Sequence, residues 1–185
     1  MTVELGHMAL ILAFALAIAQ SILPVLGAAR GDSRLMATGD VSSVGICLFI
    51  GISFAALVWA YATSDFSVVN VWQNSHSLKP MLFKITGTWG NHEGSMLLWV
   101  LILAVFAAAV SVFGKSLPEK LRANVQGVQG WMLATFLLFI LLTSNPFLRQ
   151  VAPMEGQDLN PILQDIGLAI HPPMLYLGYV GFSIT

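Results

Sequence analysis

Long apolar runs alternate with shorter polar breaks along the chain. Apolar positions fill residues 5–29, 41–63, 96–113 and 125–143, and a fifth run starts at Pro172 and continues to Thr185. Crossing the hydrocarbon of a bilayer as a helix takes about 20 such residues. The pattern therefore predicts an all-α polytopic membrane protein with four full transmembrane helices and the start of a fifth, at 172–185. Since that last run ends without a polar flank or a helix stop, the 185 residues are expected to be part of a larger multi-span domain. The first run is too long for the apolar core of a signal peptide, and Met1 to Gly6 carry Glu4 but no Lys or Arg, so it is read as a retained span.

The polar breaks differ in kind. Two are short hairpins carrying Arg30 and Arg34, and Lys115, Lys120 and Arg122, which is five of the eight basic residues. Basic residues in short loops stay in the cytoplasm, so the N-terminus and the two long connections, 64–95 and 144–171, are expected outside. Each long connection is expected to contain a short interfacial helix. The first is rich in apolar residues (Phe66, Val68, Val69, Val71, Trp72), which suits a segment folded back onto the membrane surface. In the second, Asn160-Pro161 is a helix start, and Ile162, Leu163, Ile166 and Ile170 recur at helical spacing, predicting a short helix that ends at His171. Pro172-Pro173 would then turn the chain into the fifth span and hold His171 at a corner between two helices.

Composition narrows the functions. With 57% hydrophobic and 9% charged residues and a mean hydropathy of +0.80, the chain is no soluble domain, and a net charge of -1 spread thinly offers nucleic acid no basic face. The single Cys47 lies in an apolar run, so neither a disulfide framework nor a Cys-x-x-Cys site can be built. No Asp, Glu, Lys or Arg lies near the middle of a span, which counts against a proton or ion pathway.

The densest chemistry lies at 86–99, Thr-Gly-Thr-Trp-Gly-Asn-His-Glu-Gly-Ser-Met-Leu-Leu-Trp, where a polar connection meets the third span. His92-Glu93 is not a zinc-protease motif, because Met96 stands where the second histidine would be. Asn91 or Ser95 could cap the helix, with Glu93 favourable in its first turn. That leaves Trp89, Trp99 and three glycines, which would suit a flat aromatic ligand such as a porphyrin held against the membrane surface. His171, at the start of a helix, would be disfavoured in its protonated form and so suited to bind a haem iron, or it merely caps the helix. His7 and His76 are isolated, the first at the membrane interface and the second solvated. Trp59, Tyr61, Trp72 and Trp131 are expected in an aromatic belt.

Several of these runs carry a resemblance. Residues 79–86 (Lys-Pro-Met-Leu-Phe-Lys-Ile-Thr), 88–99 (Thr-Trp-Gly-Asn-His-Glu-Gly-Ser-Met-Leu-Leu-Trp), 145–147 (Asn-Pro-Phe), 159–165 (Leu-Asn-Pro-Ile-Leu-Gln-Asp) and 169–179 (Ala-Ile-His-Pro-Pro-Met-Leu-Tyr-Leu-Gly-Tyr) closely resemble the N-terminal part of the CcmF family. Its members are haem lyase subunits of bacterial cytochrome c maturation. The resemblance implies an inner-membrane protein that takes haem from the haem chaperone CcmE. With CcmH and related thiol-reducing subunits, it would help attach that haem to the Cys-x-x-Cys-His of apocytochrome c on the periplasmic side. It implies that His171 is an external axial ligand to the incoming haem, with Trp89, His92, Glu93 and Trp99 as possible contacts of a haem ledge. The family's tryptophan-rich motif, second external histidine and b-type haem ligands lie further along its chain, so the fragment alone is expected to be inactive. The related lyase for cytochrome c nitrite reductase fits the same residues. A transporter or proton-pumping subunit, or a membrane scaffold without catalysis, remains the alternative from the residues themselves.

Overall fold

The computed structural model describes residues 1–184; Thr185, the last residue of the expected fifth span, lies outside the described residues. Four long helices form a bundle, α1 Thr2–Arg30, α2 Ser33–Ala62, α5 His92–Phe113 and α6 Glu119–Thr143. All four are long and apolar enough to cross a membrane. Two short helices, α3 Val69–Asn74 and α4 Met81–Gly87, fill the first long connection, and α7 Ile166–Gly181 follows a single 3-10 turn at Pro161–Leu163.

Local chemistry sets the ends of these helices. Gly31 takes the left-handed φ of 71° that only glycine adopts freely, closing α1, and Asp32 then accepts from the N–H groups of Arg34 and Leu35 (2.9 and 3.3 Å) to open α2. The result is a two-residue hairpin. Its consequence is that α2 starts eight residues before the apolar run at 41 and carries Asp40 inside the helix, where Arg122 of α6 pairs with it at 3.1 Å. Together with Ser33 donating to Glu119 (3.2 Å), this pair brings the two basic hairpins to the same end of the bundle.

The bundle closes on α1 against α2 and α6, and on α2 against α5. Leu10, Ile46, Leu57, Leu103, Leu137 and Ile140 are among its fully buried side chains. Lipid offers no hydrophobic drive to helix association, so close backbone approach must supply the contact. Gly130 of α6 shows this, because a Cβ there would stand 2.6 Å from the backbone nitrogen of Ser21 in α1.

Buried polar residues link the helices at one depth. Gln20 of α1 donates to the backbone and side-chain oxygens of Gln126 in α6 (2.9 and 3.2 Å), Gln126 donates to Ser111 of α5 (2.7 Å), and Ser111 shares a hydrogen bond with Ser43 of α2.

Three expectations are corrected here. Phe66, Val68 and Val71 are buried in the core rather than laid on a membrane surface, since the first long connection folds over the end of the bundle and covers its apolar cross-section. Tyr61 is no belt residue: it is fully buried, whereas Trp59 and Trp131 are exposed. The helix expected to end at His171 is only the 3-10 turn at Pro161–Leu163, opened by Asn160 accepting from Ile162 N–H at 3.1 Å. α7 then runs without a corner through His171, Pro172 and Pro173.

The two long connections are stitched to each other over the opposite end of the bundle from the basic hairpins. Val69 N–H donates to Leu148 C=O (2.9 Å), Gln150 N–H to Ser67 C=O (2.9 Å) and Gln157 N–H to Trp72 C=O (2.8 Å). Lys79, its side chain almost wholly buried, reaches Asp158 at 2.7 Å and the carbonyl of Asn74 at 3.0 Å. Burial pushes the Lys79 ammonium down, against the pull of Asp158. Burial likewise opposes ionisation of Asp158, but the hydrogen bond and charge of Lys79, together with the bonds from Leu159 N–H and Gln164, outweigh it and lower the carboxyl.

Glu155 makes the last stitch, accepting from the hydroxyl and N–H of Ser77 (2.5 and 2.9 Å), and those bonds with that from Gly156 N–H hold its carboxyl at about 2 against an ordinary 4.5. A depressed folded pKa stabilises above the unfolded value and is lost as pH falls through the folded one. The 75–79 and 155–158 segments are therefore expected to loosen between about pH 4.5 and pH 2. Hydrogen exchange at the Ser77 amide, as the ratio of wild type to Glu155→Gln, should converge on one across that window. A ratio constant with pH would exclude Glu155 as the stitch.

Candidate functional site

Residues 86–99 form a turn and the start of α5, built on a polar knot beneath them. Asn91 caps α5, its Oδ1 accepting from Gly94 N–H at 2.8 Å, while its amide donates to Gly87 C=O and to the Tyr61 hydroxyl (both 2.9 Å). The Tyr61 hydroxyl donates to Asn70 Oδ1 (2.7 Å), and the Asn70 amide donates back to Asn91 Oδ1 (2.8 Å) and to Glu93 Oε2 (3.1 Å). Each buried polar group of the knot finds partners, as burial demands. Tyr61 and Asn70 are the residues that sequence reading missed. An apolar run ending in Tyr gives no sign whether the ring faces lipid or protein, and only the return of α3 over the bundle end supplies its partner.

The five residues singled out from the sequence do not converge. Glu93 turns into the knot. His92 is exposed, 3.0 Å from the Ser144 hydroxyl and edge-on to Phe139. Trp89 stacks on Phe54 of α2 (centroids 6.4 Å, planes 19° apart) and donates its indole N–H to the Ala169 carbonyl at 2.8 Å. Trp99, two turns into α5, packs on Tyr176 of α7 with centroids 5.1 Å apart. Thus both tryptophans hold α7 against the bundle, Trp89 from the turn before α5 and Trp99 from α5 itself. His171 lies on the exposed side of α7, two residues on from Ala169 and so about 200° around the helix from the face they grip.

Between the grip points a cavity of about 280 Å³ is lined by Trp89, Asn91, His92, Ala169, Pro172 and Tyr176 among others. Pockets for ligands of drug size run from about 300 to 1,000 Å³, so this one is too small for a porphyrin. It also borders Thr86, whose hydroxyl is buried without a protein partner. The other face of α7 is open. Below His171, Met174 and Leu175 are exposed (62% and 40%), and a Cβ on Gly178 would meet nothing within 4 Å. The imidazole thus stands at the head of a flat apolar strip, on the sixth residue of α7 rather than at its N-terminus.

The helix continues through the two prolines, and one of the two carbonyls they leave without an in-helix donor, that of Ala169, is served from outside it. In an α-helix the N–H of residue 173 would bond the Ala169 carbonyl, and Pro173 has none. Trp89 provides the donor instead, the way neighbouring helices satisfy proline-freed backbone in membranes.

The other histidines are structural neighbours of the same end. His7 Nε2 meets the Asn145 amide at 3.2 Å and its ring stacks on Phe147. His76 Nδ1 accepts from Leu78 N–H at 3.2 Å. Among the described residues, no group of three or more His, Cys, Asp or Glu is placed to hold a metal ion.

A family model described as cytochrome C assembly protein matches residues 89–185. The chain is 64% identical over 185 residues to the cytochrome c-type biogenesis protein CycK of Rhizobium meliloti, covering 100% of this chain and 27% of that protein. It is 51% identical to the cytochrome c-type biogenesis protein CcmF of Pseudomonas aeruginosa over 184 residues, 98% of this chain and 28% of that one. Among solved structures it is similar to a cytochrome c heme lyase CcmF, with a TM-score of 0.87 and 26% identity, covering 100% of this chain and 29% of that chain. The chain therefore spans between a quarter and a third of the length of the relatives it matches.

Proposed function

The chain belongs to the cytochrome C assembly protein family, and on that premise we propose that it forms the N-terminal, haem-presenting part of a haem lyase subunit in the bacterial inner membrane. Its two basic hairpins would face the cytoplasm and its stitched connections the periplasm, following the bias of Lys and Arg toward cytoplasmic loops. Haem would arrive from the chaperone CcmE and leave, with the help of CcmH, on the Cys-x-x-Cys-His of apocytochrome c.

The observation that carries this reading is the placement of His171, an exposed imidazole at the head of the apolar strip of Met174, Leu175 and Gly178. A histidine nitrogen suits haem iron, and an apolar strip with an open glycine suits the edge of a flat, mostly apolar ring. Those residues fit the cargo; the cavity on the other side of α7 does not. Trp89, His92 and Trp99 then act behind the helix, and Glu93 in the knot below it. Thioether formation draws on reduced cysteines of the apocytochrome and on a reduced, oriented haem. His171 would contribute an axial bond that fixes orientation and tunes potential, and the chain's one thiol, Cys47, sits within α2.

The test is the absorption spectrum and pyridine haemochrome of the membrane complex, co-expressed with the haem chaperone, as wild type and as His171→Ala. Loss of the histidine-ligated haem signal in the variant is expected. The same haem content and spectrum in both would exclude His171 as a ligand and leave a scaffold role for this part of the protein.

A further inference from the structure

We propose that Trp89 is a positioning residue for His171: its indole N–H takes the place of the N–H that Pro173 lacks and thereby sets how α7 presents the imidazole. The functional consequence rests on His171 being the haem ligand; the hydrogen-bond exchange itself does not.

Two successive prolines remove two successive backbone bonds, those to the carbonyls of residues 168 and 169. A helix so weakened kinks or swivels unless something else fixes the site. Ala169 is only 6% exposed, and Trp89 Nε1 stands 2.8 Å from its oxygen. The indole stacks on Phe54 of α2, and Leu159 lies beside Gly90 in the turn behind it, 3.2 Å from where a Cβ would stand. Past the prolines Trp99 holds Tyr176. Residues 169 and 176 are seven apart and share a face of the helix, so α7 is gripped above and below its weak point from one side, and His171 projects from the other. Releasing the upper grip frees rotation and tilt at the turn that carries the imidazole.

Two substitutions act on the same carbonyl from opposite directions. Trp89→Phe keeps an aromatic ring against Phe54 but removes the donor; Pro173→Ala restores the in-helix donor and makes the indole redundant. In the haem-free membrane complex, Trp89→Phe is expected to speed hydrogen exchange across residues 174–177 about tenfold, the scale of one lost buried hydrogen bond. In the Pro173→Ala background it is expected to change exchange less than about twofold, since the carbonyl is already bonded. In the haem-loaded complex, Trp89→Phe alone should lower the histidine-ligated haem fraction about tenfold. Added imidazole, which needs no positioning, should restore a nitrogen-ligated haem signal by taking the place of the mispositioned side chain.

Equal effects of Trp89→Phe in both backgrounds, or none in either, would overturn the proposal. Exchange coupling with a wild-type haem spectrum in Trp89→Phe, while His171→Ala loses haem, would overturn the positioning role and leave the ligand reading standing. Failure of the ligand reading is seen separately, in His171→Ala alone.

Discussion

Replacing Gly94 with alanine is expected to be the most damaging single-methyl change in the chain. A Cβ at this position would lie 1.6 Å from the carbonyl oxygen of Thr88 and 2.8 Å from its carbon, and both are backbone atoms that cannot rotate away. The first turn of α5 would have to separate from the 86–90 turn. That separation breaks the Asn91 cap on Gly94 N–H and pulls Asn91 from Gly87 and Tyr61. Overpacking costs about 1–3 kcal/mol, sometimes more, and a lost N-cap about 1 kcal/mol, so destabilisation of roughly 4 kcal/mol is expected. Because the moved turn carries Trp89, the grip on Ala169 goes with it. Gly51→Ala is the control, a helical glycine in α2 with nothing within 4 Å of a new Cβ. Thermal unfolding of the purified complex in detergent checks the pair: a Gly94→Ala protein that melts with Gly51→Ala would show the turn to be more yielding than the close contact requires.

The second large effect is expected at Gln126. Its side chain is fully buried and accepts from Gln20 while donating to the Ala107 carbonyl (3.0 Å) and the Ser111 hydroxyl (2.7 Å), which joins α1, α5 and α6 directly and α2 through Ser43. Gln126→Ala opens a cavity and removes the side-chain bonds to Gln20, Ala107 and Ser111, leaving the Gln20 amide only the backbone carbonyl of residue 126, at a cost of about 3 kcal/mol. Gln126→Leu fills the space and loses only the hydrogen bonds, which in membranes average about 0.6 kcal/mol each, so about 1–2 kcal/mol is expected. Once Gln126 is Leu, Gln20→Leu should cost less than it does alone, because only the bond to the backbone carbonyl of residue 126 is left for it to remove. Detergent unfolding of the two single variants and the double variant measures this; additive losses would show that Gln20 and Gln126 are not one unit.

The helical spans were legible because a bilayer imposes one period and one minimum length on any helix that crosses it, and the apolar runs meet both. Their N-terminal extensions were not. Ser33 to Asp40 read as a polar break, yet they are helical because Asp32 caps them and Arg122 waits across the bundle for Asp40. Within the site, Asn91 as cap and the density of chemistry at 86–99 could be read from residue type and spacing. The direction in which each side chain points could not. Whether Trp89 stacks on a ligand or donates to a carbonyl depends on where Ala169 lies, eighty residues later. The sequence also misread the two prolines as a corner. A proline forbids its own donor bond, which is local knowledge, but whether the freed carbonyl is lost or adopted depends on what neighbouring helix faces it.

What the sequence alone determined is the membrane class, the four full spans, the basic hairpins and the family, since hydropathy, charge placement and motif runs are properties of the string. The tertiary structure alone decided that Phe66, Val68, Val71 and Tyr61 are core, that Gln20 and Gln126 are partners, and that His171 stands apart from the tryptophans, exposed on the outer side of a helix they hold from behind. Burial and hydrogen-bond pairing belong to contacts between distant segments, and a single chain of letters carries no distance between them.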